Sequence, residues 1–431
     1  MSRDTGTLFE PKRLADQQPR PREAGDREAP PSRPLRRRRH LLPDYIMRVN
    51  WIISAFRPGV DLHRGRDRVA TLLPSSQLAV AAVLLLTSCS DNVSGSGDGA
   101  FNDLQCSISE SELFSGGPGP DGIPSLQNPE FVAAAAPGAA YLRDTDRVVG
   151  FLADGEAWAV PHNIGWWHEI VNLDFPSGLQ LAVTYCPLTG SSLTFDREAV
   201  RGATLGVSGL LFQNNLVMFD RNDPSSLWFQ MMRGSRCGPD DGTRLSMHPS
   251  IETTWAGWQE LYPDTRVVSG NLQMGRNYQL YPYGDYEETP RLLFPQGSLD
   301  SRRFVKERTL GIPEDDGRSG ILFPFDLLRN VEAGPVTVAT TPARGGEAVV
   351  FWDERVEGAM AFRPVSEGMA LTFHVDDDRI IDAETGSEWQ VDGVAKEGEL
   401  AGRRLDPIPE AYVAFWFAWV AFHPEAELWE G

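Results

Sequence analysis

A chain of 431 residues is long enough for two domains or for one large duplicated domain, and 41% hydrophobic residues with 12 tryptophans can build a substantial core. The 60 acidic side chains outnumber the 40 basic ones, which gives a formal charge of −20. Because the segment before residue 89 is basic, the rest of the chain is more acidic still. An acidic body repels phosphates and argues against nucleic acid as a partner.

The first 46 residues are rich in arginine and proline and cannot bury a core, so we predict a disordered extension over 1–46. Met47 offers an alternative start, which would leave this extension untranslated.

Residues 47–88 have the pattern of an export signal. Three arginines between residues 64 and 68 precede an apolar run over residues 78–86. That run is too short for a membrane span, which needs roughly 20 residues. It ends in Leu-Thr-Ser-Cys89, which resembles the lipobox of bacterial lipoproteins. The resemblance implies diacylation of Cys89 and a lipid anchor in the cell envelope, on the periplasmic or cell-surface face. A plain cleaved signal and a buried apolar helix are the alternatives.

Residues 89–140 are predicted to be a polar tether and a loop-rich lead-in. From residue 141 onward, short apolar runs alternate with turn residues, which is typical of β-strands. The predicted strands lie at 147–152, 157–160, 179–185, 192–195, 204–207, 216–219 and 227–230. Trp255, Trp258 and Tyr262 share one face of a predicted helix over 253–262, which Pro263 ends.

The same landmarks recur later in the chain. Gly150 and Gly311, Trp228 and Trp389, and Trp258 and Trp419 are each separated by 161 residues. We therefore predict a mainly β (α+β) fold made of an internally duplicated β-rich unit, each copy with one short Trp-x-x-Trp helix. Copy one covers 141–269 and copy two covers 308–431.

A Tyr/Pro-rich connector over 270–307 joins the two copies. Its tyrosines, Tyr278, Tyr281, Tyr283 and Tyr286, suit either a packed connector lying over both copies or an aromatic platform for a ligand. We favour the packed connector.

Copy one alone carries a cluster of chemically capable side chains: His162, His168, Glu169 and Cys186. In copy two, a phenylalanine answers His162, and neither His168 nor Cys186 has a counterpart. Residues needed for packing should occur in both copies, so this asymmetry marks the cluster as the candidate site.

Several motifs resemble the DUF3179 family of bacterial secreted and lipid-anchored proteins. They are WWHEIVN, VTYCPLTGSSLTFDR, GVSGLLFQNNLVMFDR and FWFAWVAFHPEAELWE, and the resemblance covers residues 140–430. Some members have a cysteine or selenocysteine three positions after the motif cysteine, which implies thiol or selenol redox chemistry. Here Thr189 stands at that position, so the chain keeps one sulfur and cannot close a disulfide across the motif.

The predicted catalytic group is Cys186 as a thiolate nucleophile, with His168 as its base and Glu169 orienting the imidazole. A second hypothesis takes His162, His168 and Cys186 as ligands of zinc or copper. An inert buried thiol and core histidines are the alternatives. No cofactor can be named.

Apart from Cys89, the cysteines are Cys106, Cys186 and Cys237. Either Cys106–Cys237 forms a disulfide with Cys186 free, or Cys186 pairs with Cys237.

The sequence therefore predicts a lipid-anchored envelope protein with a thiol-based site. The alternatives are a non-catalytic envelope module that binds or assembles with a protein or glycan, and a metal-binding protein. Whether the protein is an enzyme stays open.

Overall fold

The computed structural model describes residues 105–297, 299–331 and 333–431. The predicted extension, the export signal, Cys89 and the start of the tether lie outside the described residues. Within the described ranges, no helix is long and apolar enough to cross a membrane.

The described chain is mainly β, as predicted. Its four α-helices are α1 (His162–His168), α2 (Trp255–Leu261), α3 (Phe325–Val331) and α4 (Trp416–Phe422). The predicted Trp-x-x-Trp helices are α2 and α4, and Tyr262 and His423 are their C-cap residues. The sequence did not predict α1 and α3, because each is a single short segment placed directly after a strand.

Strands alternate with turns through the first part of the chain. They are β1 (Leu113–Ser115), β2 (Leu126–Gln127), β3 (Phe131–Ala133), β4 (Arg147–Ala153), β5 (Glu156–Pro161), β6 (Ile170–Asp174), β7 (Gln180–Cys186), β8 (Ser191–Asp196), β9 (Leu205–Phe212), β10 (Asn215–Asp220), β11 (Leu227–Phe229), β12 (Gly234–Cys237), β13 (Ser250–Thr254) and β14 (Arg266–Val268).

The second part continues in the same way. Its strands are β15 (Arg308–Pro313), β16 (Gly320–Pro324), β17 (Val336–Ala343), β18 (Gly346–Asp353), β19 (Gly358–Phe362), β20 (Val365–Ser366), β21 (Met369–Ala370), β22 (Phe373–Asp376), β23 (Arg379–Asp382), β24 (Glu388–Trp389), β25 (Ala395–Glu397), β26 (Tyr412–Phe415) and β27 (Glu427–Leu428).

These strands form three larger sheets and three smaller ones. The larger sheets have the orders β2-β6-β7-β8-β26-β15-β16-β27, β13-β4-β5-β14-β3 and β1-β9-β10-β11-β12. The smaller sheets are β17-β18-β19, β22-β23-β24-β25 and β20-β21. The described part of the connector 270–307 contains neither strand nor helix.

The strand pairing of residues 141–269 (the first half) recurs in residues 308–431 (the second half). In the order β13-β4-β5-β14 the contacts are antiparallel, antiparallel and parallel, and β26-β15-β16-β27 repeats them. Thr254 lies opposite Arg147, as Phe415 lies opposite Arg308. We call positions related in this way equivalent. The structure shows equivalent contacts, and duplication of one unit stays our interpretation of them.

Two equivalent glycines show why small residues recur. A Cβ atom on Gly150 would lie 2.5 Å from the Trp258 ring, and one on Gly311 would lie 2.5 Å from the Trp419 ring. Both distances are too short for real atoms. Each tryptophan therefore packs flat on strand backbone that only glycine leaves open.

One sheet runs through both halves. Strand β8 of the first half pairs with β26 of the second, with Val413 opposite Ser192. In return, the Thr254 amide donates to the Val356 carbonyl, and at the equivalent position the Phe415 amide donates to the Thr189 carbonyl. Side chains of both halves therefore meet along their common boundary, and this boundary positions the candidate site.

Candidate functional site

Cys186 ends β7 in a closed apolar environment. Its side chain is 1% exposed, and its Sγ contacts the Asn214 carbonyl oxygen at 3.7 Å. Burial, and secondarily the negative charge of Glu169, raise the pKa of this thiol to about 11. Thiolate nucleophiles have lowered pKa values and some solvent access, so this environment suppresses reactivity.

Both ring nitrogens of His168 contact residues other than Cys186. Its Nδ1 lies 2.7 Å from the Pro124 carbonyl oxygen, and its Nε2 lies 2.8 Å from the Tyr278 hydroxyl. Burial lowers the pKa of the ring to about 4. Because both nitrogens have partners, the predicted His168–Cys186 pair is not formed. The residue instead ties the connector to α1.

Glu169 follows α1 in a left-handed conformation, with φ of 56°. It does not orient His168, since the His168 nitrogens are taken by Pro124 and Tyr278. Its charge instead couples to Cys186 and Tyr283. Burial raises the pKa of this carboxyl to about 8.

The three predicted metal ligands do not contact a common point. His162 contacts Ser192 and Glu252, His168 contacts Tyr278, and Cys186 contacts Asn214. Among the described residues, no three His, Cys, Asp or Glu side chains are arranged to hold a metal ion. Cys106 and Cys237 are joined by a disulfide, which leaves Cys186 as the free cysteine of the described chain.

The structure assembles a different set of residues around the buried Glu252 of β13. Its Oε1 accepts from Arg147 Nε at 2.7 Å and from Arg308 Nη1 at 2.8 Å, and its Oε2 accepts from Ser192 Oγ at 2.7 Å. Burial alone would raise the pKa of this carboxyl, but the charges of Arg308, His162 and Arg147 outweigh it and hold the pKa well below the ordinary value. Glu252 is therefore a carboxylate shared by two equivalent arginines.

His162, Ser192 and Glu252 do not form a catalytic triad. The same ring atom, His162 Nε2, faces both Ser192 Oγ at 3.3 Å and Glu252 Oε2 at 3.5 Å. In a triad the acid holds the opposite nitrogen, which leaves Nε2 for the serine alone. Ser192 instead donates to the carboxylate, and His162 stacks on Tyr185 with centroids 4.0 Å apart.

This network forms part of the wall of a cavity of about 410 Å³ on the boundary between the halves. A volume of this size suits a small ligand. The lining includes pairs of equivalent positions from the two halves, namely Asp146 and Glu307, Arg147 and Arg308, His162 and Phe325, and Trp166 and Arg329. We call it the boundary cleft.

The charges of the boundary cleft are largely satisfied within the protein. Arg308 pairs with Glu252 and Glu287, and Arg329 pairs with Asp326 and Glu354. Aromatic side chains of Trp166, Phe304 and Phe325 complete the lining. The cleft therefore offers hydrogen-bonding groups and ring faces without a large excess of one charge.

Sequence reasoning included His162 but missed the rest of the boundary cleft. One signal was available: Glu252 lies in the middle of β13, and its equivalent in the second half is Val413. Because valine is sufficient for packing at this position in the second half, the carboxylate in the first half indicates an additional role. The meeting of Arg147 with Arg308 depends on long-range packing of the two halves, which no local pattern reveals.

Fold and cleft together define a mainly β protein whose two halves share one sheet and have a ligand-sized cavity on their boundary. A comparison with protein families matches residues 120–426 to DUF3179, described as a protein of unknown function, and the chain belongs to this family. No curated protein and no solved structure matches the chain.

Proposed function

We propose that this protein is a non-catalytic binding module of the cell envelope, which takes up a small, neutral, hydroxyl-rich ligand such as a mono- or disaccharide in the boundary cleft. The observation that carries the proposal is the cleft itself, whose lining combines Trp166 with charged groups that already have partners. Sugars are recognised by such combinations, because ring faces contact their C–H groups while paired charges still offer donors and acceptors to hydroxyls.

Trp166, which the first half contributes to the cleft, favours this ligand class. Trp166 is the fifth residue of α1, and Arg329 is the fifth residue of α3. The Trp166 ring meets the Tyr281 ring edge to face at 5.0 Å, and its Nε1 is buried without a hydrogen-bond partner among the described residues. Because Nε1 is buried, the Trp166 ring rather than its N–H is the group that the cleft offers to a ligand.

The thiol hypothesis receives less support from the geometry. A nucleophile needs access and a lowered pKa, and Cys186 has neither. A lipid on Cys89 would hold the module at the membrane. The support for this anchor is the sequence pattern of residues 64–89.

Isothermal titration calorimetry with a panel of neutral mono- and disaccharides tests the proposal. We expect saturable binding that Trp166→Ala weakens at least tenfold. The matched control is Trp158→Ala, which removes a partly exposed tryptophan outside the boundary cleft. Binding that survives Trp166→Ala, or that is absent for every sugar tested, would refute the proposal.

A further inference from the structure

A second cavity of the described chain shares no lining residue with the boundary cleft. Its volume is about 190 Å³. The first half contributes residues of β4, β13 and α2 to the lining, and the second half contributes residues of β19 and of the segment 392–407. We call it the apolar cavity.

Most of the lining of this cavity is apolar. Its larger apolar side chains are Phe151, Ile251, Trp258, Met360, Phe362 and Leu405. A cavity of about 150 Å³ with aliphatic and aromatic walls stays dry and binds benzene. The apolar cavity is slightly larger, so its size suits one aromatic ring with a small substituent.

The other half shows how an aromatic ring can pack at such a place. Ile251 of β13 is equivalent to Tyr412 of β26. The Tyr412 ring stacks on the Trp419 ring, with centroids 4.3 Å apart. Ile251 has no ring, and it lines the apolar cavity together with Trp258, the equivalent of Trp419. The first half therefore has a cavity beside a tryptophan whose equivalent packs against a tyrosine.

A small polar set completes the lining. The Tyr262 hydroxyl donates to Asp392 Oδ2 at 2.5 Å and accepts from Arg404 Nη2 at 2.7 Å. Arg404 Nη1 donates to the Asp392 carbonyl oxygen at 3.1 Å. The Arg404 side chain is 37% exposed, and these contacts leave further N–H groups of its guanidinium for a ligand.

The charges of this lining balance. Its charged side chains are Asp392 and Arg404, whose Oδ2 and Nη2 atoms lie 3.7 Å apart. His248 adds no charge at pH 7, because burial lowers the pKa of its ring. An ionic ligand would bring an unpaired charge against apolar walls, whereas a neutral ligand would not.

We propose that the apolar cavity is a second binding site, which takes a small neutral aromatic molecule with one polar substituent. The ring of the ligand packs against Trp258, as the Tyr412 ring packs on Trp419. The polar substituent accepts a hydrogen bond from Arg404. Benzamide is a simple molecule of this class.

Three probes of nearly equal shape test the ligand class. Benzamide is neutral, benzoate is an anion and benzamidine is a cation at pH 7. Ligand-observed NMR titrations with the full chain measure the Kd of each. We expect saturable binding of benzamide, and binding of benzoate and of benzamidine that is at least tenfold weaker.

Three variants test whether the apolar cavity is the place of binding. Ile251→Tyr introduces the side chain of the equivalent Tyr412 and abolishes benzamide binding. Arg404→Met weakens binding about tenfold, as expected for the loss of one hydrogen bond to a charged group. The matched control is Arg244→Met, which removes the equivalent arginine. Arg244 donates to the Asp315 carbonyl and does not line the cavity, so this variant leaves the Kd unchanged.

The two arginine variants decide the outcome if Ile251→Tyr does not fold, since both side chains are partly exposed. An equal Kd for benzamide in Arg404→Met and Arg244→Met would overturn the proposal. So would tighter binding of benzoate or benzamidine than of benzamide, or no binding of benzamide at all.

Discussion

Replacing Glu252 by glutamine removes the negative charge that Arg147 and Arg308 share. Breaking a buried ion pair on one side costs roughly 3–5 kcal/mol, because the remaining charge stays buried. Here Arg147 keeps Glu357 and Arg308 keeps Glu287 as further partners. The glutamine oxygen can also still accept one hydrogen bond. We therefore expect Glu252→Gln to lower the free energy of unfolding by about 3 kcal/mol, at the lower end of that range.

The matched control is Glu357→Gln, which removes another carboxylate from the same guanidinium. The Glu357 side chain is 49% exposed and lies 3.2 Å from Arg147 Nη1. An exposed pair of this kind contributes about 0.5 kcal/mol. Urea unfolding at pH 7, monitored by tryptophan fluorescence and circular dichroism, measures both changes. Equal losses of unfolding free energy in Glu252→Gln and Glu357→Gln would refute the importance of burial in this network.

The same pair of variants gives a pH test with a defined sign. Because the pKa of Glu252 is depressed in the folded protein, its contribution is complete above the ordinary pKa of glutamate. The contribution is lost as the pH falls through the lower folded value. The difference between the parent protein and Glu252→Gln should therefore be constant from pH 6 to 8 and shrink under acid conditions.

Three further predictions concern single side chains. The pKa of Glu169 is raised to about 8, so folding favours its protonated form, and the free energy of unfolding should fall between pH 5 and pH 8. In urea unfolding at pH 7, the free energy of unfolding of Glu169→Gln should exceed that of the parent protein by about 3 kcal/mol. Cys186 should resist Ellman's reagent in the native protein at pH 7 and react only after unfolding, and fast native labelling would contradict its burial. Reducing the Cys106–Cys237 disulfide, which spans 131 residues, should cost up to about 5 kcal/mol by loop entropy in denaturant unfolding, and no change would show that the denatured chain is not restrained by the bond.

Much of the fold could be predicted from the sequence because its signals are local. The predicted strand 147–152 corresponds to β4, and the predicted strand 216–219 lies within β10. The Trp-x-x-Trp helices follow from side chains three and seven positions apart. The 161-residue spacing correctly placed landmarks that make equivalent contacts, such as Gly150 with Trp258 and Gly311 with Trp419.

The candidate site was less predictable because its contacts are long-range. His168 and Cys186 are close in sequence, but His168 turns towards Tyr278 in the connector and Cys186 points into the core. Arg308 of the second half reaches Glu252 of the first half across their common boundary. Chemical capability in a short stretch of sequence predicts which side chains are unusual. It does not predict which of them face each other.

The asymmetry between the halves bears on what the boundary cleft can bind. If both halves contributed identical side chains, the cleft would be twofold symmetric and would suit a ligand with the same symmetry. Arg147 and Arg308 keep that symmetry, but Glu252 lies on one side only and pairs with both. Trp166 and its equivalent, Arg329, both line the cleft, so that the first half contributes an aromatic ring where the second contributes a guanidinium. A ligand with one apolar face and one hydroxyl-bearing edge fits such walls better than a symmetric ion does. We therefore propose a neutral sugar rather than an anion as the ligand of this cleft.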